Sequence, residues 1–215
     1  MHHDTIDKKF KREDLPSGRL DPATALQRLK DGNARYAVGE MSARDYGVGR
    51  AEREAKQFPF AAVLSCADSR VAPELAFDQG PGDLFVVRLA GNFVNTDGLA
   101  SLEYASEFLN IGLIVVMGHS NCGAVDAAIK VLKEDAKLPG QLPCLVESIK
   151  PVMRRVLEEA PDDQLNRGIR SNVRENVKRL REDDALIGKR VAAGEVGVIG
   201  AVYDLASGTI EFLDA

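Results

Sequence analysis

The chain has 215 residues, of which 45% are hydrophobic and 28% charged, and its formal net charge at pH 7 is −5. This length suits one α/β domain with a sizeable core, and the ordinary composition excludes a disordered, collagen-like or disulfide-rich miniprotein. The acidic excess argues against a general nucleic-acid binder, which normally carries a basic surplus. The composition therefore favours small-molecule chemistry.

The N-terminal segment, residues 1–20, is polar and predicts a solvated arm, with basic residues clustered around Phe10. An arm that packs on a partner subunit is the alternative. The segment lacks the apolar stretch of a secretory signal, and no apolar run in the chain reaches the ~18 residues of a membrane span. We expect a cytoplasmic protein without a membrane partner, and a periplasmic location stays open if a leader has been removed.

The elements predicted after this arm alternate between helices and strands. Asp21 and Pro22 are typical of an N-cap followed by proline at the first helical position, and Gly39 can end that helix. Apolar runs at 60–65, 83–88 and 111–117 predict strands that are buried on both faces of a parallel sheet. The further predicted elements are helices at about 98–109, 123–134, 143–160 and 165–182, and strands at 196–205 and 209–213.

The last two strands flank Ala206-Ser207-Gly208, which predicts a turn back into an edge hairpin. The predicted fold is α/β, with a mostly parallel central sheet flanked by helices and an antiparallel C-terminal edge hairpin. We interpret residues 21–215 as a single domain.

Two groups of reactive residues follow the first and third predicted strands. They are Cys66-Ala67-Asp68-Ser69-Arg70 and Gly118-His119-Ser120-Asn121-Cys122-Gly123. Both should lie at the carboxyl ends of parallel strands, where open α/β sheets bind ligands. Two thiols and an imidazole that converge there would suit zinc. The fourth coordination position is open, since Asp68 is close enough to fill it but Arg70 would draw its carboxylate away.

Each part of this pattern has an ordinary structural explanation when it is taken alone. Cys66 could be a packing residue, His119 a satisfied structural histidine, and Asp68 with Arg70 a local salt bridge. The conjunction favours a site, because His119 is the only histidine outside the His2–His3 pair and lies three residues from a second cysteine. The third cysteine, Cys144, is expected to be a small apolar contact at a helix start.

The motifs C-x-D-S-R and, some fifty residues later, G-H-S-x-C-G-A resemble those of the β-class carbonic anhydrases. The resemblance covers about residues 57–128, including Gly82 to Asn92 and Ser101 to Ala105. It implies a zinc lyase that interconverts CO2 and bicarbonate by attack of zinc-bound hydroxide. It also implies Cys66, His119 and Cys122 as zinc ligands, and Asp68 with Arg70 as the catalytic dyad.

Within that family the sequence resembles the group whose zinc is open to water. Residues at the positions that line the CO2 site in this group are Gln57, Phe85 and Tyr104, with the Gly123 amide as a substrate hydrogen-bond donor. The closed group places the aspartate, here Asp68, on zinc and builds a bicarbonate pocket with tryptophan, a residue that this chain lacks. The open-group site is shared across subunits, so the resemblance implies a homodimer or a dimer-based tetramer.

Two other functions are weighed against this one. A hydrolase of carbonyl sulfide or CS2 could use the same fold and site. A noncatalytic zinc-binding interaction protein would predict a damaged Asp-Arg pair, whereas Asp68 and Arg70 are both present. Among the other charged residues, Asp78 is expected to serve a turn, and Arg179 and Arg181 are expected to lie on a solvated helix face.

Overall fold

The computed structural model describes residues 19–44, 46–47, 50–159, 162–183 and 186–213. Nearly all of the predicted arm at residues 1–20 therefore lies outside the described residues. In chain order, the helices and strands are α1 Pro22–Ala37, α2 Arg50–Glu54, β1 Ala61–Ser65, α3 Pro73–Ala76, β2 Leu84–Arg88, α4 Thr96–Phe108, β3 Leu113–His119, α5 Gly123–Glu134, α6 Leu142–Glu159, α7 Gln164–Arg181, α8 Ile187–Ala192, β4 Gly197–Tyr203 and β5 Ile210–Leu213.

The sheet has the strand order β2-β1-β3-β4-β5, in which the first four strands are parallel. Only the β4–β5 pair is antiparallel, which confirms the predicted edge hairpin. Ser65 at the end of β1 is in register with Arg88 of β2 and Met117 of β3. The segments that follow these strands consequently emerge at the same edge of the sheet.

Both faces of the sheet are covered, as the continuous apolar runs predict. All five residues of β1 are buried, and they alternate between two core clusters. Ala62 and Leu64 pack with residues of α4, α7 and α8, whereas Ala61 and Val63 pack with residues of α1 and α3. A third cluster joins α5, α6 and α7 to Cys66 and Cys122.

The first helix has the predicted ends. Asp21 is its N-cap, and the Asp21 Oδ1 atom accepts hydrogen bonds from the backbone N–H groups of Ala23 and Thr24, both at 3.0 Å. Pro22 occupies the first turn, and Gly39 follows the helix with a φ of 76°. The short helices α2, α3 and α8 were not predicted, because four to six residues carry too little helical periodicity.

Helix α7 approaches the sheet closely over two glycines. A Cβ atom at Gly118 of β3 would lie 2.8 Å from Val173 Cγ2, and one at Gly200 of β4 would lie 2.8 Å from Val173 Cγ1. Val173 of α7 thus fits a notch formed by Gly118 and Gly200, which a side chain at either glycine would fill. Among the described residues, no helix has the length and hydropathy that a bilayer crossing requires.

Candidate metal centre

The three predicted metal ligands meet at the carboxyl edge of the sheet. Cys66 directly follows β1, His119 is the last residue of β3, and Cys122 immediately precedes α5. The Sγ atoms of the two cysteines and a ring nitrogen of His119 all lie within 4.8 Å of one another. All three side chains are buried, with exposed fractions of 4%, 0% and 1% in chain order. The fold therefore brings together the ligands that the sequence predicts.

The local backbone explains how Cys122 reaches this position. His119 belongs to the strand, and a short turn through Asn121, which adopts a left-handed φ of 54°, leads into α5. Asparagine tolerates this conformation better than most residues. Cys122 then occupies the N-cap position, directly before the first helical residue of α5.

The two thiols affect each other's pKa. A hydrogen bond between them lowers the pKa of the Cys66 thiol and raises the pKa of the Cys122 thiol, and burial raises the latter further. Gly91 also donates its N–H to Cys66 Sγ at 3.3 Å. The pair consequently favours one thiolate and one thiol, and a divalent cation would replace the remaining proton.

His119 has one occupied and one free ring nitrogen. Its Nδ1 lies 2.9 Å from the Ser120 carbonyl oxygen, so the Nδ1–H tautomer can donate there and leave Nε2 as an acceptor. Nε2 is buried and has no hydrogen-bond partner. An unpaired buried polar atom lowers the stability of the folded protein, so the free Nε2 is explained if it binds a ligand. Two sulfurs and one imidazole nitrogen are the donor set that suits zinc, so the residues fit the metal.

Asp68 and Arg70 form the predicted pair beside this group. Arg70 donates to Asp68 through Nε at 3.0 Å and Nη2 at 2.8 Å, and its backbone N–H donates to Oδ1 at 2.9 Å. These hydrogen bonds hold the pKa of the Asp68 carboxyl well below its usual range, and those from the Arg70 side chain have the largest effect. Asp68 Oδ2 lies 3.9 Å from His119 Nε2. An ionised carboxylate therefore stands next to the three ligands and faces Arg70.

Arg88, at the end of β2, holds the segment that carries Cys66 and Asp68. Its Nε donates to the Cys66 carbonyl oxygen at 3.1 Å, and its Nη2 donates to the Asp68 carbonyl oxygen at 2.7 Å. Sequence reasoning did not single out this arginine as a site residue. Its position at the end of the strand that neighbours β1 is the signal that could have identified it.

The four predicted substrate residues lie in three places, and of these described residues only Phe85 and Tyr104 are in contact with each other. Gly123 begins α5 directly after Cys122 and is exposed. The rings of Phe85 and Tyr104 are neighbours with centroids 6.2 Å apart, and Tyr104 is 43% exposed. Gln57 is exposed before β1. No hydrogen bond or ring contact among the described residues connects Gln57, Phe85 or Tyr104 to the Cys-His-Cys group.

The expectation that Asp78 serves a turn holds, whereas the expectation for Arg181 needs correction. Asp78 does lie in a turn, with a φ of 46°, but its side chain is fully buried and accepts hydrogen bonds from Arg35, Ser42 and Arg44. Burial would raise the pKa of Asp78, but these hydrogen bonds outweigh it and hold that pKa below its usual range. Arg181 is not simply solvated either, because its guanidinium donates twice to the Val198 carbonyl oxygen, with Nη2 at 2.6 Å.

Known proteins are similar to this chain in both sequence and fold. A family model described as carbonic anhydrase matches residues 61–210. A carbonic anhydrase from Mycolicibacterium smegmatis is 38% identical over 192 residues, which cover 89% of this chain and 93% of that protein.

Solved structures agree with this match. A tetrameric β-carbonic anhydrase from the ascomycete Sordaria macrospora superimposes with a TM-score of 0.70 at 26% identity, covering 77% of this chain and 85% of that one. The β-carbonic anhydrase of Coccomyxa, solved in complex with acetazolamide, gives a TM-score of 0.69 at 26% identity and covers 87% of this chain and 84% of that one. The chain therefore belongs to the β-carbonic anhydrase family.

Proposed function

We propose that this carbonic anhydrase is a zinc enzyme that converts CO2 to bicarbonate and a proton, and that Cys66, His119 and Cys122 hold the metal. The observation that carries the proposal is the group of three buried residues whose ligand atoms lie within 4.8 Å of one another, together with the lack of a hydrogen-bond partner at His119 Nε2. Zinc bound there would act as a Lewis acid that lowers the pKa of a coordinated water and so supplies the nucleophile for CO2.

Asp68 is the residue that orients the reactants. Because its pKa lies below the usual range, the carboxylate is ionised at neutral pH and can only accept hydrogen bonds. Its Oδ2 atom lies next to His119 Nε2, where it can accept a hydrogen bond from the attacking oxygen and direct a lone pair of that oxygen to CO2. A protonated carboxyl would be a weaker acceptor and would pair less strongly with Arg70.

Arg70 keeps this carboxylate in place. A bidentate guanidinium–carboxylate pair fixes both distance and direction, which a lysine could not do. While Asp68 is paired with Arg70, its carboxylate does not itself occupy a ligand position, and the site stays open to substrate. The intact pair also argues against a noncatalytic zinc-binding protein, which would have no use for it.

The pocket for CO2 is completed by a second subunit in this proposal. Gln57 and the Phe85–Tyr104 ring pair are accessible at the surface, and Gly123 offers a backbone N–H at the start of α5 next to the ligands. Apolar rings suit CO2, and an N–H group suits the developing bicarbonate oxygen. A homodimer or dimer-based tetramer would bring the ring pair of one subunit to the ligands of its neighbour.

The test combines metal analysis with stopped-flow CO2 hydration on the same preparations. The parent should carry about one zinc per chain and hydrate CO2, and Cys122→Ala should lose both the metal and the activity. Cys144→Ala is the matched control, because this thiol is exposed and contacts only Gln141 in the described structure. Full zinc occupancy in Cys122→Ala, or a zinc-loaded parent without activity, would contradict the proposal.

A further inference from the structure

The turn that follows β2 touches one of the proposed ligands through its backbone. Gly91 and Asn92 both have left-handed φ values, 85° and 40°, and the Asn92 N–H closes the turn on the Leu89 carbonyl oxygen at 2.9 Å. The Gly91 N–H points away from this turn and donates to Cys66 Sγ at 3.3 Å. A Cβ atom at Gly91 would lie 2.6 Å from Ile149 Cδ1, so the turn is wedged between the ligand and α6.

Two asparagines of α7 hold this turn from the other side. Asn172 and Asn176 are 1% and 5% exposed and lie one helical turn apart. Asn172 Nδ2 donates to the Gly91 carbonyl oxygen at 2.8 Å, and Asn176 Oδ1 accepts from the Val94 N–H at 2.7 Å. Asn176 Nδ2 donates in turn to the Asn172 carbonyl oxygen at 2.8 Å.

Packing alone does not explain why two amide side chains are buried on this face of α7. The neighbouring inward positions of α7 are the apolar residues Val173, Val177 and Leu180. Buried polar groups add little net stability, whereas a fully hydrogen-bonded set fixes geometry. Each amide makes one hydrogen bond to the backbone beside Asn92, Asn172 to Gly91 and Asn176 to Val94. The Gly91 residue held in this way also carries the N–H that reaches Cys66.

We propose that Asn172 and Asn176 are positioning residues that hold the Gly91 N–H on Cys66 Sγ and thereby reduce the electron donation of this thiolate to the bound metal. Hydrogen bonds to ligand atoms fix the orientation of those atoms and tune their electron donation to the metal. The inference rests on the proposed function, because it requires a metal on Cys66.

The main experiment uses the cobalt(II)-substituted protein, whose thiolate-to-cobalt charge-transfer absorption reports on the sulfur. A donated hydrogen bond stabilises the sulfur lone pairs, so its loss should move this absorption to longer wavelength. Asn172→Leu, which keeps the branched four-atom side chain but has no amide, should show that shift.

Asn33 provides the matched control on the opposite face of the sheet. It is 6% exposed, and its Nδ2 donates to the carbonyl oxygens of Ala76 at 2.9 Å and Gly208 at 2.8 Å. Asn33→Leu should lose stability but leave the cobalt absorption unchanged. An unshifted absorption in folded, metal-loaded Asn172→Leu, or an equal shift in Asn33→Leu, would overturn the inference.

Two further measurements apply if Asn172→Leu does not fold. Asn176→Ala removes the acceptor of the Val94 N–H and keeps Asn172, which contacts Gly91. It should therefore shift the cobalt absorption in the same direction but by less, and no shift would overturn the inference. In the parent loaded with an NMR-active cadmium isotope, the Gly91 amide proton should show a scalar coupling to the metal through Cys66 Sγ, and its absence would also overturn it. A parent that binds no metal refutes the proposed function instead.

Discussion

Gly118 is the first residue of the motif that contains two of the proposed ligands. We expect that any larger residue at this position displaces helix α7. In Gly118→Ala the new Cβ would lie 2.8 Å from Val173 Cγ2 and 3.3 Å from Ile169 Cγ2, both on α7. The distance of 2.8 Å is too short for two carbon atoms, so α7 or β3 must move. Because His119 is the next residue, any shift of β3 also moves a proposed ligand.

The free-energy cost can be worked out from these contacts. Overpacking a core costs about 1–3 kcal/mol, and replacing glycine returns roughly 0.4–1 kcal/mol through the unfolded chain, so Gly118→Ala should lose about 1–2 kcal/mol. Val173→Ala alone removes two buried methyl groups at ~0.8 kcal/mol each and leaves a cavity, for a total of about 2–3 kcal/mol. The double variant no longer contains the clashing methyl, so its loss should fall short of the sum by at least about 1 kcal/mol.

Urea unfolding of the zinc-loaded proteins at one protein concentration measures these values, since metal binding and association both shift the midpoint. Gly118→Ala should also hydrate CO2 more slowly than Val173→Ala at equal zinc content. If Gly118→Ala is as stable as the parent, or if the two losses simply add, the notch does not set the position of α7.

Further predictions concern the carboxylates and the assembly. Asp68→Asn should keep most of its zinc and lose most CO2 hydration, because a carboxamide pairs poorly with Arg70; a parental rate at full zinc content would remove Asp68 from the mechanism. Asp78→Ala should lower the free energy of unfolding by about 2 kcal/mol at pH 7, because it removes a buried carboxylate that accepts hydrogen bonds from the partly exposed side chains of Arg35 and Arg44. Since the pKa of Asp78 is lowered in the folded protein, its stabilisation is present above the unfolded pKa and is lost as pH falls, so urea midpoints of parent and variant should converge below about pH 4. Light scattering coupled to chromatography should find a dimer or tetramer, and an active monomer would contradict the shared pocket at Tyr104.

The ligands could be predicted because short-range rules determine where they lie. Cys66 follows one apolar run, and His119 and Cys122 follow another, so parallel pairing of the two strands brings all three to the same edge of the sheet. The prediction placed His119 after the third strand, whereas β3 extends through it, because Gly118 and His119 pair with Val202 and Tyr203 of β4. Pairing with a strand some eighty residues later is not visible in the local pattern.

The polar residues that support the site could not be predicted for the same reason. Asn172 and Asn176 look like the solvated side of an amphipathic helix, yet both are buried against a turn some eighty residues earlier. Asp78 and Asp83 both lie in the segment between β1 and β2, so the sequence gives no reason to expect different burial. The Asp78 side chain is fully buried and pairs with Arg35 and Arg44, whereas the Asp83 side chain is 34% exposed. Burial of a polar group depends on which distant partner reaches it.

These buried polar contacts have a common physical origin at the carboxyl edge of the sheet. Strands end there, so the backbone groups of the following turns have no ladder partner and must be satisfied by side chains. Arg88 satisfies the carbonyl groups of Cys66 and Asp68, Asn172 that of Gly91, and Asn33 the Gly208 carbonyl group and, through Oδ1, the Ile210 N–H. The turns that carry reactive groups are thereby held from both faces of the sheet. A site that keeps an unpaired imidazole nitrogen and an ionised carboxylate 3.9 Å apart needs such support, because Asp68 lies beyond the end of β1, outside the buried strands that hold His119.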